Sequence, residues 1–291
     1  MLIWSDCIPC SLRLALSLAR SAFRSEEEVE AFMREVLALP AFSAGDWNLT
    51  SPHLTGAVWR LLVERSGDPD PLATAKADQN AAALALYPAA REHVVRSSDP
   101  FLEAVKLAIL GNAIDAMVDT AAAPAEGLLE TLGTLSLDPD AVSTLRRRLA
   151  DAGRIAWFSD NCGEIVFDRL LLEVLHSQWD VDVAYITHTL PVLNDALLAD
   201  ALAVGLGEVA RVMENGAGEA LPGNLVADLG PQAAAAVRDA SLVVSKGVAN
   251  FELLTWEGSL EGRVSYLLHG KCHPVCTANE VGAGDLVVRN G

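Results

Sequence analysis

Two rhythms of apolar and polar positions divide the chain. Over roughly the first hundred residues the spacing predicts helices. Leu12, Leu14, Leu16 and Leu18 sit in an Ala-rich run. Ser25, with Glu28 three residues on, has capping-box spacing and predicts a helix start. "SPHLTGAVWRLLVERSG" predicts a helix capped by Ser51, with Pro52 in its first turn and Gly67 past its end. "DPLATAKADQNAAALALYPAAREHVV" continues the helical character, with a break expected near Pro88. "DPFLEAVKLAILGNAIDAMVD" is a further periodic segment and carries Asn112 and Asp115 in its middle.

From residue 154 the rhythm changes. "RIAWFS", "VDVAYITH", "EVARVM", "SLVVS", "RVSYLL" and "DLVVR" are short β-rich runs, and helical stretches such as "EIVFDRLLLEVLHS" and "PQAAAAVRDA" separate several of them. That alternation predicts a mostly parallel sheet covered by helices. The expected fold class is α/β, with a mainly helical domain over residues 1–120 and an α/β domain over 121–291. The segment "DTAAAPAEG", residues 119–127, is the expected loop between them.

The polar residues fall into place on this frame. Asp160-Asn161 follows the first strand, and Asn194-Asp195 comes soon after the second. Ser245-Lys246-Gly247 ends a later one, and Lys271-Cys272 follows "VSYLLHG". All four groups lie beyond a strand's carboxyl end, where open α/β sheets bind ligands.

Composition narrows the partners. The 291 residues are 51% hydrophobic, enough for a sizeable core, and carry a formal net charge of -18. Such a surface repels nucleic acid and anionic membranes, so neither is an expected partner. An anionic substrate would then need a local positive device. The N-terminal run "MLIWSDCIPCSLRLALSLARSAF" has no basic leader and is interrupted by Arg13 and Arg20, so a cytoplasmic protein is expected. Five cysteines, an odd number, favour thiols or a metal role over a disulfide framework.

Asp160, Asn161 and Asp195 offer oxygen ligands suited to Mg²⁺ or Mn²⁺. A helix entered at Cys162-Gly163-Glu164 would aim its first N–H groups at the same place, and Lys246 could neutralise a phosphate oxygen. Together these read as a metal-dependent phosphatase site. Each piece also has an ordinary explanation. Asp160 and Asn194-Asp195 could cap helices, Lys246 could be solvated, and Asn112 with Asp115 could be a satisfied buried pair.

The segments taken together resemble the metal-dependent damage-control phosphatase family, also called the ARMT-like family, nearly end to end. "CIPC" at 7–10 is similar to the Cys-x-x-Cys opening of its prokaryotic branch, and "LGNAIDAM" to its Gly-Asn-x-x-Asp helix. "SDNCGEIVFD", "PVLNDALLADA", "SKGVANFELL" and "LLHGKCHPV" resemble further motifs in the family's order. The resemblance implies a helical domain joined to a three-layer α/β/α domain. It implies one divalent metal (Mn, Co, Ni or Mg) held by Asp160, Asn161 and Asp195, which also form the catalytic set. It places Asn112 and Asp115 beside metal and substrate, Lys246 on the substrate phosphate, and Asn250 and Glu252 along the pocket. The activity implied is hydrolysis of a small phosphorylated metabolite by a metal-bound water attacking phosphorus in line.

Departures from the family pattern fall at expected substrate contacts: "ITHTLPV", Leu197 where Thr is common, and "GVAN" for Gly-Gln-Gly-Asn. Glu164 is a candidate for shaping the entrance. Cys7, Cys10 and Cys272 form a possible thiol cluster, with His269, His273 and Cys276 as other soft ligands, and His188 is the one remaining histidine placed just after a strand. Two other functions fit parts of the pattern. One is a non-catalytic phosphometabolite-binding protein. The other is a carboxyl methyltransferase, against which stands the lack of a Gly-x-Gly loop after the first strand.

Overall fold

The computed structural model describes residues 1–117 and 125–291, without the side chains of residues 112–117, 125, 126, 128 and 129. The N-terminal helices are α1 (Cys7–Ala22), α2 (Glu26–Ala38), α3 (Pro40–Ser43), α4 (Ser51–Ser66), α5 (Ala73–Arg96), α6 (Pro100–Met117), α7 (Ala125–Thr134) and α8 (Pro139–Asp151). Then follow β1 (Arg154–Phe158), α9 (Glu164–Gln178), β2 (Asp182–Thr187), α10 (Leu198–Ala203), β3 (Arg211–Glu214), α11 (Pro231–Asp239) and β4 (Leu242–Lys246). The chain ends with α12 (Val248–Leu254), β5 (Val264–His269), α13 (His273–Asn279) and β6 (Leu286–Asn290). The expected mixed α/β fold is present, helices first and a mostly parallel sheet after. Part of the expected 119–127 loop, and with it the 120/121 boundary, lies outside the described residues.

Local chemistry explains the helix ends. Ser25 caps α2 in a reciprocal box with Glu28. The cap of α4 is Thr50, one residue before the expected Ser51, because Thr50 Oγ1 takes the N–H of His53. Gly67 closes α4 in the left-handed conformation. The break expected at Pro88 does not occur. An interior proline costs about 3 kcal/mol, but Ala83, Ala90 and Val94 of α5 are buried in the core shared with α6 and α9, and that packing carries the helix through.

The six strands run in the order β3-β2-β1-β4-β5-β6. Neighbours are parallel except for β6, which is antiparallel to β5. Strand order reverses between β1 and β4, so the carboxyl ends of these two strands flank the crevice where such sheets take ligands. Strand faces alternate. Trp157, Tyr185, Val244 and Leu267 pack with α5, α6, α8 and α9, while Ala156, Phe158, Val243 and Tyr266 pack under α11, α12 and α13. Each fully buried large side chain contributes about 1.5–3 kcal/mol. A third cluster joins α1, α2 and α4 and takes in Val192 from the loop after β2. Trp59 Nε1 donates to the Pro191 carbonyl at 2.8 Å, so α4 steadies that loop. Among the described residues no helix is long and apolar enough to cross a membrane.

Candidate active site

The first candidate pair, Asp160-Asn161, sits where β1 stops. Asp160 and Asp195 are 6% and 4% exposed, so neither carboxyl is a surface charge. Asn161 and Asp195 form an isolated antiparallel bridge. Ala196 N–H donates to the Asp160 carbonyl at 2.9 Å, and Cys162 N–H to the Asn194 carbonyl at 2.9 Å. These bonds pull the β2 loop across the end of β1 and bring Asp160, Asn161 and Asp195 into one place. Asn161 Nδ2 donates to Asp160 Oδ2 at 3.1 Å.

Capping does not account for the two aspartates. The residue preceding α9 is Gly163, at φ 81°, and no side chain caps it. Its N–H instead donates to Asn80 Oδ1 of α5 at 2.7 Å. The residue preceding α10 is Leu197, whose N–H goes to Asp200 Oδ2.

Gly247, just past β4, has φ 77° and ψ 169°, a region essentially open only to glycine. A Cβ there would collide with the Asp160 carboxylate. The close approach places the end of β4 against the end of β1, across the switch point.

Lys246 is fully buried, and all three of its donors are engaged. They reach the Ala108 carbonyl at 2.8 Å, Asp168 Oδ1 at 2.6 Å and Glu164 Oε1. Burial opposes the charge, but Asp168 and Glu164 outweigh it and hold the ammonium above the ordinary lysine range. Tyr185 donates to Asp168 Oδ2 at 2.7 Å. Burial pushes the Glu164 carboxyl up to about 7, with Lys246 pulling it back and Asp168 pushing it further. Asp160 is also raised well above the usual carboxylate range, first by burial and then by the charges of Glu164 and Asp195. Lys271, exposed at the end of β5, pulls both Asp160 and Glu164 in the opposite direction.

The other expected residues are spread more widely. Asn250 is fully buried and spans two strand ends, donating to the carbonyls of Ser159 at 3.0 Å and Lys246 at 2.9 Å. Glu252 is buried, and burial pushes its carboxyl up to about 7. Its charge bears on Cys7 and Cys272, and Cys272 also feels Cys7 and Cys10. All five cysteines are free thiols. The start of α13 meets this corner through a Trp4–His273 ring contact at 5.8 Å. The side chains of Asn112 and Asp115 lie outside the described residues. Asp168, Asn80 and Gln79, whose Oε1 accepts from Asn194 Nδ2 at 3.3 Å, were not among the expected site residues, and Glu164, expected only at the entrance, instead pairs with the buried Lys246. On α9 the signal was a carboxylate on a largely buried apolar helix, whereas Gln79 and Asn80 sit in the mixed sequence of α5, which carries no such signal.

Among the described residues no three His, Cys, Asp or Glu side chains are spaced to hold a metal ion. The candidate set is therefore two carboxylates and the Asn161 amide. It fits a hard or borderline divalent cation on chemical grounds. All the donors are oxygens, the carboxylates are buried, and their mutual repulsion is of the kind a cation relieves.

Comparison with known proteins gives this geometry its context. The family model of the damage-control phosphatase ARMT1-like domain matches residues 3–287. The chain belongs to that family. A damage-control phosphatase of Archaeoglobus fulgidus is 32% identical over 239 residues, 81% of each chain. An uncharacterized protein of Methanocaldococcus jannaschii is 28% identical over 97% of this chain and 93% of its own. The crystal structure of a DUF89-family protein from Pyrococcus horikoshii superposes with a TM-score of 0.87 at 24% identity, covering 100% of this chain and 99% of that one. That likeness shows the shared fold. Within the ARMT1-like family fold, Asp160 and Lys246-Gly247 of this chain stand at the switch point.

Proposed function

We propose that the chain is a metal-dependent phosphomonoester hydrolase acting on small phosphorylated metabolites. The observation that carries this reading is the crowding of Asp160, Glu164 and Asp195, all buried, at the carboxyl end of the sheet. Membership of a family whose named relatives are damage-control phosphatases supports it. A divalent cation such as Mn²⁺, Co²⁺, Ni²⁺ or Mg²⁺, held by Asp160, Asn161 and Asp195, would supply Lewis-acid charge and lower the pKa of water.

The chain's own groups do the rest. The Asp160 and Asp195 carboxyls are held out of solvent, where their attraction for a cation is less screened than in water. Lys271, exposed just beyond β5, acts electrostatically on Asp160 and Glu164 and would draw a phosphate dianion toward them. Lys246 neutralises Glu164 and Asp168 and keeps them from repelling that dianion. It meets a phosphate only by releasing one of its three partners. Asn250 holds β1 and β4 at the spacing the site needs, while Asn112, Asp115 and Glu252 are assigned to the pocket by resemblance.

The test is phosphate release from a panel of phosphorylated metabolites by chelator-stripped protein, with each of the four cations restored singly. Release restored by a cation supports the proposal. Tight binding of a phosphate ester with no release under any cation would replace it with a sensor.

A further inference from the structure

Beside Asp195 runs a line of buried amides that the reading above leaves unused. Asn215, directly after β3, is 2% exposed. Its Oδ1 accepts from the backbone N–H groups of Thr189 and Ala217, both at 3.1 Å. Two main-chain donors fix the orientation of the amide, oxygen toward them and NH₂ away. Nδ2 then lies 2.9 Å from Asn224 Oδ1 and 3.5 Å from His188 Nδ1. Asn224 Nδ2 donates to Asn250 Oδ1 at 3.0 Å. Asn250 Nδ2 ends the line on the carbonyls of Ser159 and Lys246. The orientation of every amide in the line is therefore set by backbone groups at its two ends.

An amide NH₂ only donates, so His188 Nδ1 accepts and the ring hydrogen sits on Nε2. His188 is 3% exposed, and its Nε2 lies 3.1 Å from Asp195 Oδ2. The pair is within ion-pair distance but off the angle of a good hydrogen bond, and among the described residues neither atom has a hydrogen-bond partner. The backbone holds the two together. His188 N–H donates to the Ala196 carbonyl at 3.0 Å, and His188 bridges Leu197.

We propose that His188 is a positioning residue for Asp195. It sets the direction of that carboxylate, and the Asn215–Asn224–Asn250 line fixes which ring nitrogen faces it. The line also ties His188 to the ends of β1 and β4, so the carboxylates from two loops keep a common register. This assignment rests on Asp195 being a cation ligand. Groups that orient a ligating carboxylate are typically worth 10–100-fold in metal affinity.

The experiment is Mn²⁺ binding to chelator-stripped protein, read from the paramagnetic signal of free Mn²⁺, for wild type, His188→Leu and His188→Gln. Glutamine can place an amide N–H where Nε2–H stands. The expected result is a Kd raised about 10–100-fold by His188→Leu and largely restored by His188→Gln. Wild-type affinity in His188→Leu overturns the assignment, and so does a glutamine variant as weak as the leucine one. Wild type that binds no Mn²⁺ overturns the metal reading, and this assignment with it. Binding that is indifferent to residue 188 overturns this assignment alone. Should His188→Leu fail to fold, the long-range ¹H–¹⁵N spectrum of wild type decides. A hydrogen on Nε2 supports the assignment, and one on Nδ1 overturns it.

Discussion

Gly247 stands directly against the Asp160 carboxylate, with no room between them for a methyl group. The two residues are 87 positions apart in sequence and meet because β1 and β4 are paired neighbours. Gly247→Ala must therefore move Asp160, besides straining a backbone that glycine alone adopts comfortably. The expected cost is about 1–3 kcal/mol from backbone strain, with a larger proportional loss of cation-dependent phosphate release. Thermal unfolding in chelator and a cation titration of activity measure the two separately. Full retention of both would mean that the β4 turn relaxes freely.

Asp160→Asn and Asp195→Asn should have opposite effects on stability and on cation response. Each removes a buried carboxyl from a crowded group of acids, so unfolding in chelator should be unchanged or shifted upward. The stabilisation that a saturating cation confers, about 2.7 kcal/mol at a hundred times Kd, should vanish along with turnover. A variant that keeps the cation-induced rise in Tm would remove that aspartate from the ligand set.

Lys246 balances two buried carboxylates, so its loss should be severe. Lys246→Met leaves Glu164 and Asp168 facing each other with no cation between them, and breaking a buried pair costs about 3–5 kcal/mol. Adding Glu164→Gln to that variant should recover part of the loss. A double-mutant cycle in urea reads the coupling. Additive effects would show that the short contact to Glu164 carries no energy of its own.

Glu252 should give stability a pH dependence of unusual sign for a carboxylate. Its folded-state pKa is pushed up to about 7 by burial, from an ordinary 4.5. The folded state then binds the proton more tightly than the unfolded state. The contribution is most favourable below about pH 4.5, falls as pH rises through the window up to about 7, and is flat above it. Glu252→Gln should accordingly stabilise the protein at pH 8 by on the order of 1–3 kcal/mol, with little effect at pH 5. The difference between the two Tm–pH curves tests this, and an equal shift at both pH values would rule out titration of this group.

How far the sequence could be read follows from how local each feature is. The six β-rich runs became strands because a short run of β-branched and apolar residues, buried on both faces of the sheet as β4 is along its whole length, is written over a few residues at a time. The placement of Asp160-Asn161, Asn194-Asp195, Lys246-Gly247 and Lys271 at one sheet edge followed from the parallel topology that strand–helix alternation implies. Whether Asp160 was cap or ligand could not be read, because a cap depends on which residue leaves the helical dihedrals, and the fold assigns that place to Gly163. Pro88 misled for a related reason. Its local penalty is real, but the burial of α5 against α6 and α9 outweighs it.

Periodicity and turn chemistry are short-range, so the order of elements, the fold class and the polar residues at the strand ends are all legible along the chain. How those residues pair depends on the packed fold. Lys246 meets Glu164 and Asp168 across 82 and 78 positions, and Asn250 reaches Ser159 across 91. His188 meets Asp195 through a loop that bends back on itself and is held by α4. Such contacts are set by the relative placement of packed elements, which the pattern of apolar positions along a single element does not encode.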